Sequence, residues 1–105
     1  MTITATSIAT GTGTGSLVSV YTAPAGVTAV VQAATFSNAT AGALALTVSA
    51  NDGAADRNIE DAKSITGHAN YQPPGMQGLT LKPGNILKIN AAAGIDYWVS
   101  GILVV

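Results

Sequence analysis

The sequence contains no cysteine, so disulfides, thiolate ligands and cysteine nucleophiles are excluded. It is nearly as poor in charge. Four Lys or Arg and five Asp or Glu make 9% of 105 residues, where a globular domain carries about 25%. The formal net charge of −1 offers no basic footprint for nucleic acid and no polybasic patch for an anionic membrane. The aromatic side chains are only Tyr21, Phe36, Tyr71, Tyr97 and Trp98. With so few cations among them, they do not make the stacked, basic platform of a single-strand binder. Long apolar runs are missing as well. A spanning helix needs about 20 consecutive apolar residues, and no run here approaches that. The opening Met1-Thr2-Ile3-Thr4-Ala5-Thr6 lacks the charged-then-apolar order of a secretory signal.

What is present is 48% hydrophobic residues, much of it alanine, with abundant Thr, Gly and Val. An apolar chain with little charge and no membrane span needs other protein over part of its surface. The length is that of one domain. Short β-branched runs recur with turn signals between them, and no segment supports a helix of normal length. The expectation is an all-β fold, a single antiparallel β-sandwich, jelly-roll-like or Ig-like, with about seven or eight short strands.

Residues 1–16 read as a flexible N-terminal arm or edge strand, with the Gly11-Thr12-Gly13-Thr14-Gly15 repeat as a hinge. Residues 17–105 read as the sandwich domain. Leu17 to Thr22 is a strand ended by Ala23-Pro24-Ala25-Gly26. Residues 27–36 form a strand with Val30, Gln32, Ala34 and Phe36 on one face and Val31, Ala33 and Thr35 on the other. Residues 43–50 alternate, with Leu44, Leu46 and Val48 inward. Residues 52–63 hold six of the nine charges and form the most exposed region. A long ordered loop follows to Gly78, with Met76 as a plug. The Pro83-Gly84-Asn85 turn is expected to join a hairpin carrying Leu79, Leu81, Leu87 and Ile89 inward.

Catalytic and metal signals are weak. His68 is the only histidine, and Ser64 and Asp61 precede it without a nucleophile elbow, so it reads as a loop residue. Asp52, Asp56, Glu60 and Asp61 miss the calcium-loop pattern, because Ala54, Arg57 and Lys63 occupy required positions. The glycine repeat precedes a strand instead of the helix a phosphate loop needs. No catalytic, cofactor or metal residue is assigned, and an enzyme is the least favoured class. A carbohydrate- or receptor-binding sandwich is the alternative, and would use a cleft near Tyr97 or Tyr71.

The last strand carries the sharpest signal. Tyr97, Val99, Gly101, Leu103 and Val105 alternate with Trp98, Ser100, Ile102 and Val104, and both faces are largely apolar. One face fills the core. The other face, or the Val31/Ala33 face of the earlier strand, is expected to form a seam in a closed homo-oligomer, a trimer being the favoured form. The candidate interface is therefore Val31, Ala33, Trp98, Ile102 and Val104. Ile3, Ile8, Gly11 and Gly13 of the N-terminal segment are the candidate contact arm towards a neighbouring protein.

Several stretches occur in a telling order: Tyr21-Thr22-Ala23-Pro24-Ala25-Gly26, the Asn38-Ala39-Thr40 turn, Leu81-Lys82-Pro83-Gly84-Asn85, and Val99-Ser100-Gly101 in the closing strand. This ordered set resembles small β-sandwich structural proteins of tailed-bacteriophage virions over residues 17–105. Asn85 stands where aspartate is common, and Ala39 interrupts an Asn-Thr turn. The resemblance implies a non-enzymatic virion protein. Such proteins occur as capsid decoration (cement) proteins and as neck, tail or fibre-associated parts; the short chain tilts the expectation towards decoration, with the major capsid protein or another virion protein as partner and with Ile3, Ile8, Gly11 and Gly13 as the candidate capsid-contact arm. It implies a virion location and carries over no catalytic residue.

Overall fold

Runs rich in Val, Ile and Thr, cut by Gly- and Pro-bearing turns, become strands in the computed structural model, which describes residues 2–105. In chain order these are β1 (Ile3–Thr12), β2 (Leu17–Thr22), β3 (Thr28–Asn38), β4 (Leu44–Asn51), β5 (Asp56–Ile65), β6 (Asn70–Tyr71), β7 (Thr80–Leu81), β8 (Ile86–Ala91) and β9 (Ile95–Val104), with one 3-10 turn at Pro74–Met76. Every strand pair is antiparallel.

Two sheets face each other. Sheet A has the order β1-β9-β3-β6, with β7 also on β3, and sheet B has the order β2-β8-β4-β5. β6 pairs with Phe36 and Ser37 near one end of β3, and β7 pairs with Ala29 and Val30 near the other. They are two pieces of one interrupted strand. Counted so, successive strands alternate between the sheets except at the β4–β5 hairpin, which is jelly-roll order. The expected antiparallel sandwich is what the chain forms.

The core lies between the sheets. Val31, Phe36, Ile95 and Val99 enter from sheet A; Leu46, Val48, Leu87 and Ile89 enter from sheet B; all are essentially inaccessible. Met76, carried by the 3-10 turn, is fully buried and plugs the side of the sandwich where β6 and β7 leave a gap. Residues 79–90 do not form the expected hairpin. Leu81 pairs with Ala29 in sheet A, while Leu87 pairs with Tyr21 and Ala50 in sheet B. The turn residues do form a turn: Asn85 N–H donates to the Lys82 carbonyl at 2.9 Å, and Gly84 has φ 86. What it joins is one sheet to the other.

That turn sits beside the Ala23-Pro24-Ala25-Gly26 connection. Ala23 N–H donates to the Asn85 carbonyl at 2.9 Å, and Gly84 N–H donates to the Ala23 carbonyl at 2.8 Å. At another sheet crossing, buried Asn38 uses its whole amide. Its Nδ2 donates to the carbonyls of Gly42 and Ile65 at 2.8 and 3.0 Å, and its Oδ1 accepts from Thr40 N–H and Oγ1 at 2.9 and 2.7 Å. Asn38 thereby ties the end of β3 to the end of β5.

Two bulges shape sheet A. The register shifts between Ser7 and Ala9 on β1 and between Val31 and Ala33 on β3, at the same level of β9. A bulge adds a residue and bends the strand. At this level Gly101 of β9 is buried, and a Cβ there would collide with the Val30 carbonyl and come within 2.8 Å of Ile8 Cδ1. Glycine is what lets three backbones pack through the bend.

Candidate functional site

β9 runs without a bulge between β1 and β3, and residues paired across antiparallel strands share a face. The outer face of sheet A follows from the register. Val104 lies between Ile3 and Thr28, Ile102 between Ala5 and Val30, and Ser100 between Ser7 and Ala33. Trp98 lies between Thr10 and Thr35, and Asp96 between Thr12 and Ser37. The face is thus graded, apolar at the Val104 end and polar at the Asp96 end.

Trp98 is 59% exposed, and Ile3 57%, on this face. Its flanking threonines give the indole short neighbours, so the ring stands clear. Asp96 is the one ionisable group in these rows, and it accepts a hydrogen bond from Thr12 Oγ1 at 2.8 Å. Ser37 Oγ donates to Asn70 Oδ1 at 2.8 Å at the same end. Every other position is apolar or neutral, which is unusual for a water-facing sheet.

Of the expected interface residues, Ala33, Trp98, Ile102 and Val104 come together here. Val31 does not. It is fully buried between the sheets. The extra residue in the β3 bulge explains this: alternation restarts there, so Val31 points inward while Gln32 and Ala33 both point out. Val30 and Ala5 belong to the face and were not expected there, because strand register is not written in either segment alone.

Within residues 1–16, expected as a flexible arm or an edge strand, Ile3–Thr12 form β1 at the edge of sheet A. β1 pairs with β9 along its length, from Ile3–Val104 to Thr12–Asp96. Ile8, bulged inward, is part of the core at 7% exposure. Gly11 lies against the Tyr97 ring, where a Cβ would meet the hydroxyl at 2.8 Å. Gly13 packs on the backbone of Ala91 and Ala92 and donates its N–H to the Ile95 carbonyl at 2.7 Å. These glycines serve close approach, and of the four arm residues only Ile3 offers a free side chain.

The other candidate residues serve the scaffold. His68 has φ 58 and donates its N–H to the Thr40 carbonyl at 3.0 Å, and no hydrogen bond joins it to Ser64 or Asp61. Asp52 accepts from the N–H groups of Ala54 and Ala55 and from Arg57 Nε, at 3.0 to 3.1 Å. Those backbone bonds, followed by Arg57, hold its carboxyl well below the usual carboxylate range. Among the described residues, no three His, Asp or Glu side chains converge as a metal site would need. Tyr97 is half-buried, with its ring 6.0 Å from that of Phe36. Tyr71 lies under Lys63, whose Nζ is 5.0 Å from the ring centroid. A hollow of about 240 Å³ on the outside of sheet B is lined by Gly15, Ala45, Thr47, Ala62, Asn90 and Ala92. It has neither ring nor charge with which to hold a sugar.

Comparison with family models, with curated proteins and with solved structures finds no match to this chain. The functional reading therefore rests on the chain's own residues and on the resemblance of its ordered turns. What the outer face of sheet A can do chemically is adhere: it offers area, an exposed indole and little that must be desolvated at cost.

Proposed function

We propose that this protein is a non-enzymatic structural subunit of a bacteriophage virion, a decoration (cement) protein that binds the head shell as a homo-oligomer through the outer face of sheet A. The observation that carries the proposal is that face, where Trp98, Ile102, Val104, Val30 and Ile3 stand exposed or half-exposed with Asp96 as the sole ionisable group. Fully covering one such side chain stabilises an assembly by about 1.5–3 kcal/mol. The ordered turn motifs add to it. Two of them, around Pro24 and Pro83, are hydrogen-bonded neighbours at one end of the sandwich, and the glycine of the closing motif is the residue that the bulged sheet requires.

The test is the protein's place in a particle. Gold-labelled or difference imaging of purified virions should put it on the head, in many copies, and heads lacking it should break at lower temperature. Finding it only on the tail would replace the decoration role with a tail role, and its absence from particles would end the virion reading.

A further inference from the structure

The sandwich leaves four strand edges: β1 and the β6/β7 pieces in sheet A, β2 and β5 in sheet B. A free edge presents unpaired N–H and C=O groups that recruit other strands, and folded proteins blunt their edges with charge, proline, bulges or shortness. Three of these edges are blunted. β5 carries Asp56, Arg57, Glu60, Asp61 and Lys63, breaks register twice against β4 and holds Ala62 at φ 49. β6 and β7 are two residues each, with Pro73 and Pro74 between them. β2 has six residues, is bulged near Val20 and meets Pro24. β1 has ten residues with neither charge nor proline, and its single bulge leaves residues 2–7 regular.

The parity of β1 shows which groups are free. Thr2 and Val105 exchange both backbone hydrogen bonds, at 3.0 and 2.9 Å. Such pairs alternate along an antiparallel ladder. Thr4 and Thr6 therefore also bond to β9, and the N–H and C=O groups of Ile3, Ala5 and Ser7 point away from it. The side chains of these three residues lie on the outer face of sheet A.

We infer that β1 pairs with β1 of a second copy of this chain, antiparallel about a twofold axis at Ala5. Ala5 meets Ala5 of the partner subunit, Ile3 meets Ser7 of the partner subunit, and the reverse pair completes the set. All three are hydrogen-bonded pairs, because every one of these residues already directs its backbone groups outward. A second copy suits the charge pattern. β1 is uncharged, and Asp96 lies in the row of Thr12, six residues along β9 from Ile102 beside Ala5, about 20 Å at ordinary strand rise. The twofold puts the two carboxylates at opposite ends of the joined sheet, where they do not repel. The two outer faces then fuse into one surface that is charged only at its two distant Asp96 ends, with the Ile102–Ala5 row continued by its copy. The contact is isologous and closes as a dimer, whereas the sequence reading favours a trimer. It stands apart from the virion reading, since it concerns only how copies join.

The test is sedimentation and amide hydrogen exchange on the full chain, comparing wild type with Ala5→Pro and Ala5→Lys. Proline at position 5 removes an outward N–H and leaves the β9 ladder its donors; lysine adds like charge at the axis. The wild type should sediment as a dimer at micromolar to submillimolar concentration, with slow exchange at Ile3, Ala5 and Ser7. Both variants should be monomers with unchanged far-UV spectra, and their Ile3 and Ser7 amides should exchange at least tenfold faster. Should Ala5→Pro fail to fold, Ala5→Lys decides alone. A monomeric wild type, any oligomer whose Ile3, Ala5 and Ser7 amides exchange fast, or a folded variant that remains dimeric overturns the inference.

Discussion

The two sheets share a core but face the surroundings in opposite ways. Sheet B and its β4–β5 turn hold Asp52, Asp56, Arg57, Glu60, Asp61, Lys63 and Lys88, seven of the nine charges. One ion pair crosses it, Lys88 to Asp56 at 3.1 Å, and another, Arg57 to Asp52 at 3.1 Å, closes the β4–β5 turn. The outer rows of sheet A hold Asp96 alone and expose Trp98. The chain thus solvates one sheet with most of its charge and leaves the outer face of the other nearly bare. Overall composition conceals this division, because the low average charge comes mostly from one side.

The largest expected effect is on the shape of sheet A. Gly101→Ala places a Cβ against the Val30 carbonyl, a backbone atom that cannot swing aside. The expected loss is about 3 kcal/mol or more, read by chemical denaturation. A loss under about 1 kcal/mol would mean that the bulged rows are not packed as described. Asn38→Ala comes next, because it strips four hydrogen bonds from the crossing that links the sheets. It should cost about 2–3 kcal/mol, leaving the Ile65 carbonyl without its partner.

The faces themselves should respond less, and differently. Trp98→Lys should change stability by no more than about 0.5 kcal/mol, since the ring is exposed in the single chain. Lys88→Ala should cost about 1 kcal/mol or less, as expected of a partly exposed pair. A large stability loss from Trp98→Lys in an isolated monomer would contradict its placement on an outer face.

Acid should act on sheet B first. The carboxyls of Asp52, held by the Ala55 and Ala54 N–H groups and Arg57, and of Asp56, held by Asn51 and then Lys88, both lie below their ordinary values. Carboxyls depressed in the fold contribute stability above the unfolded value of about 4, and lose it as pH falls through the folded values. Melting temperature should therefore decline below about pH 4, and Asp52→Asn should flatten that decline. An unchanged pH profile in the variant would remove Asp52 from the explanation. An effect of the opposite sign is expected at Ala62, a non-glycine residue at φ 49 beside the β5 register break. Ala62→Gly should stabilise by up to about 1 kcal/mol.

The sequence was most legible where strands run unbroken. Alternation placed Leu46 and Val48 in the core and Trp98, Ile102 and Val104 outside, because neither segment contains an inward-turned surplus residue on those positions. It misplaced Val31 because one bulged residue at the middle of β3 inverts the face of everything beyond it. The Gly-Thr repeat suggested mobility, yet Gly11 is there for contact with Tyr97 and Gly13 for contact with the Ala91–Ala92 backbone, while Gly15 turns the chain at φ 82. Charge hid β5, since an edge strand tolerates charges that a central one does not. The Pro83-Gly84-Asn85 turn was plain in the sequence, but turn chemistry does not say which sheet receives the next strand. The Val30, Ala5 and Ile3 part of the outer face depends wholly on that long-range register.

On the proposed role, sheet A, and not sheet B, is the side that the head shell covers. Binding of purified protein to heads that lack it, followed by sedimentation of the heads, tests this with two variants that both leave the fold intact. Trp98→Lys should abolish retention on heads, at least a hundredfold in affinity, while Lys88→Ala should bind like wild type. Retention of Trp98→Lys together with loss of Lys88→Ala would contradict the account and move the adhesive surface to the charged sheet.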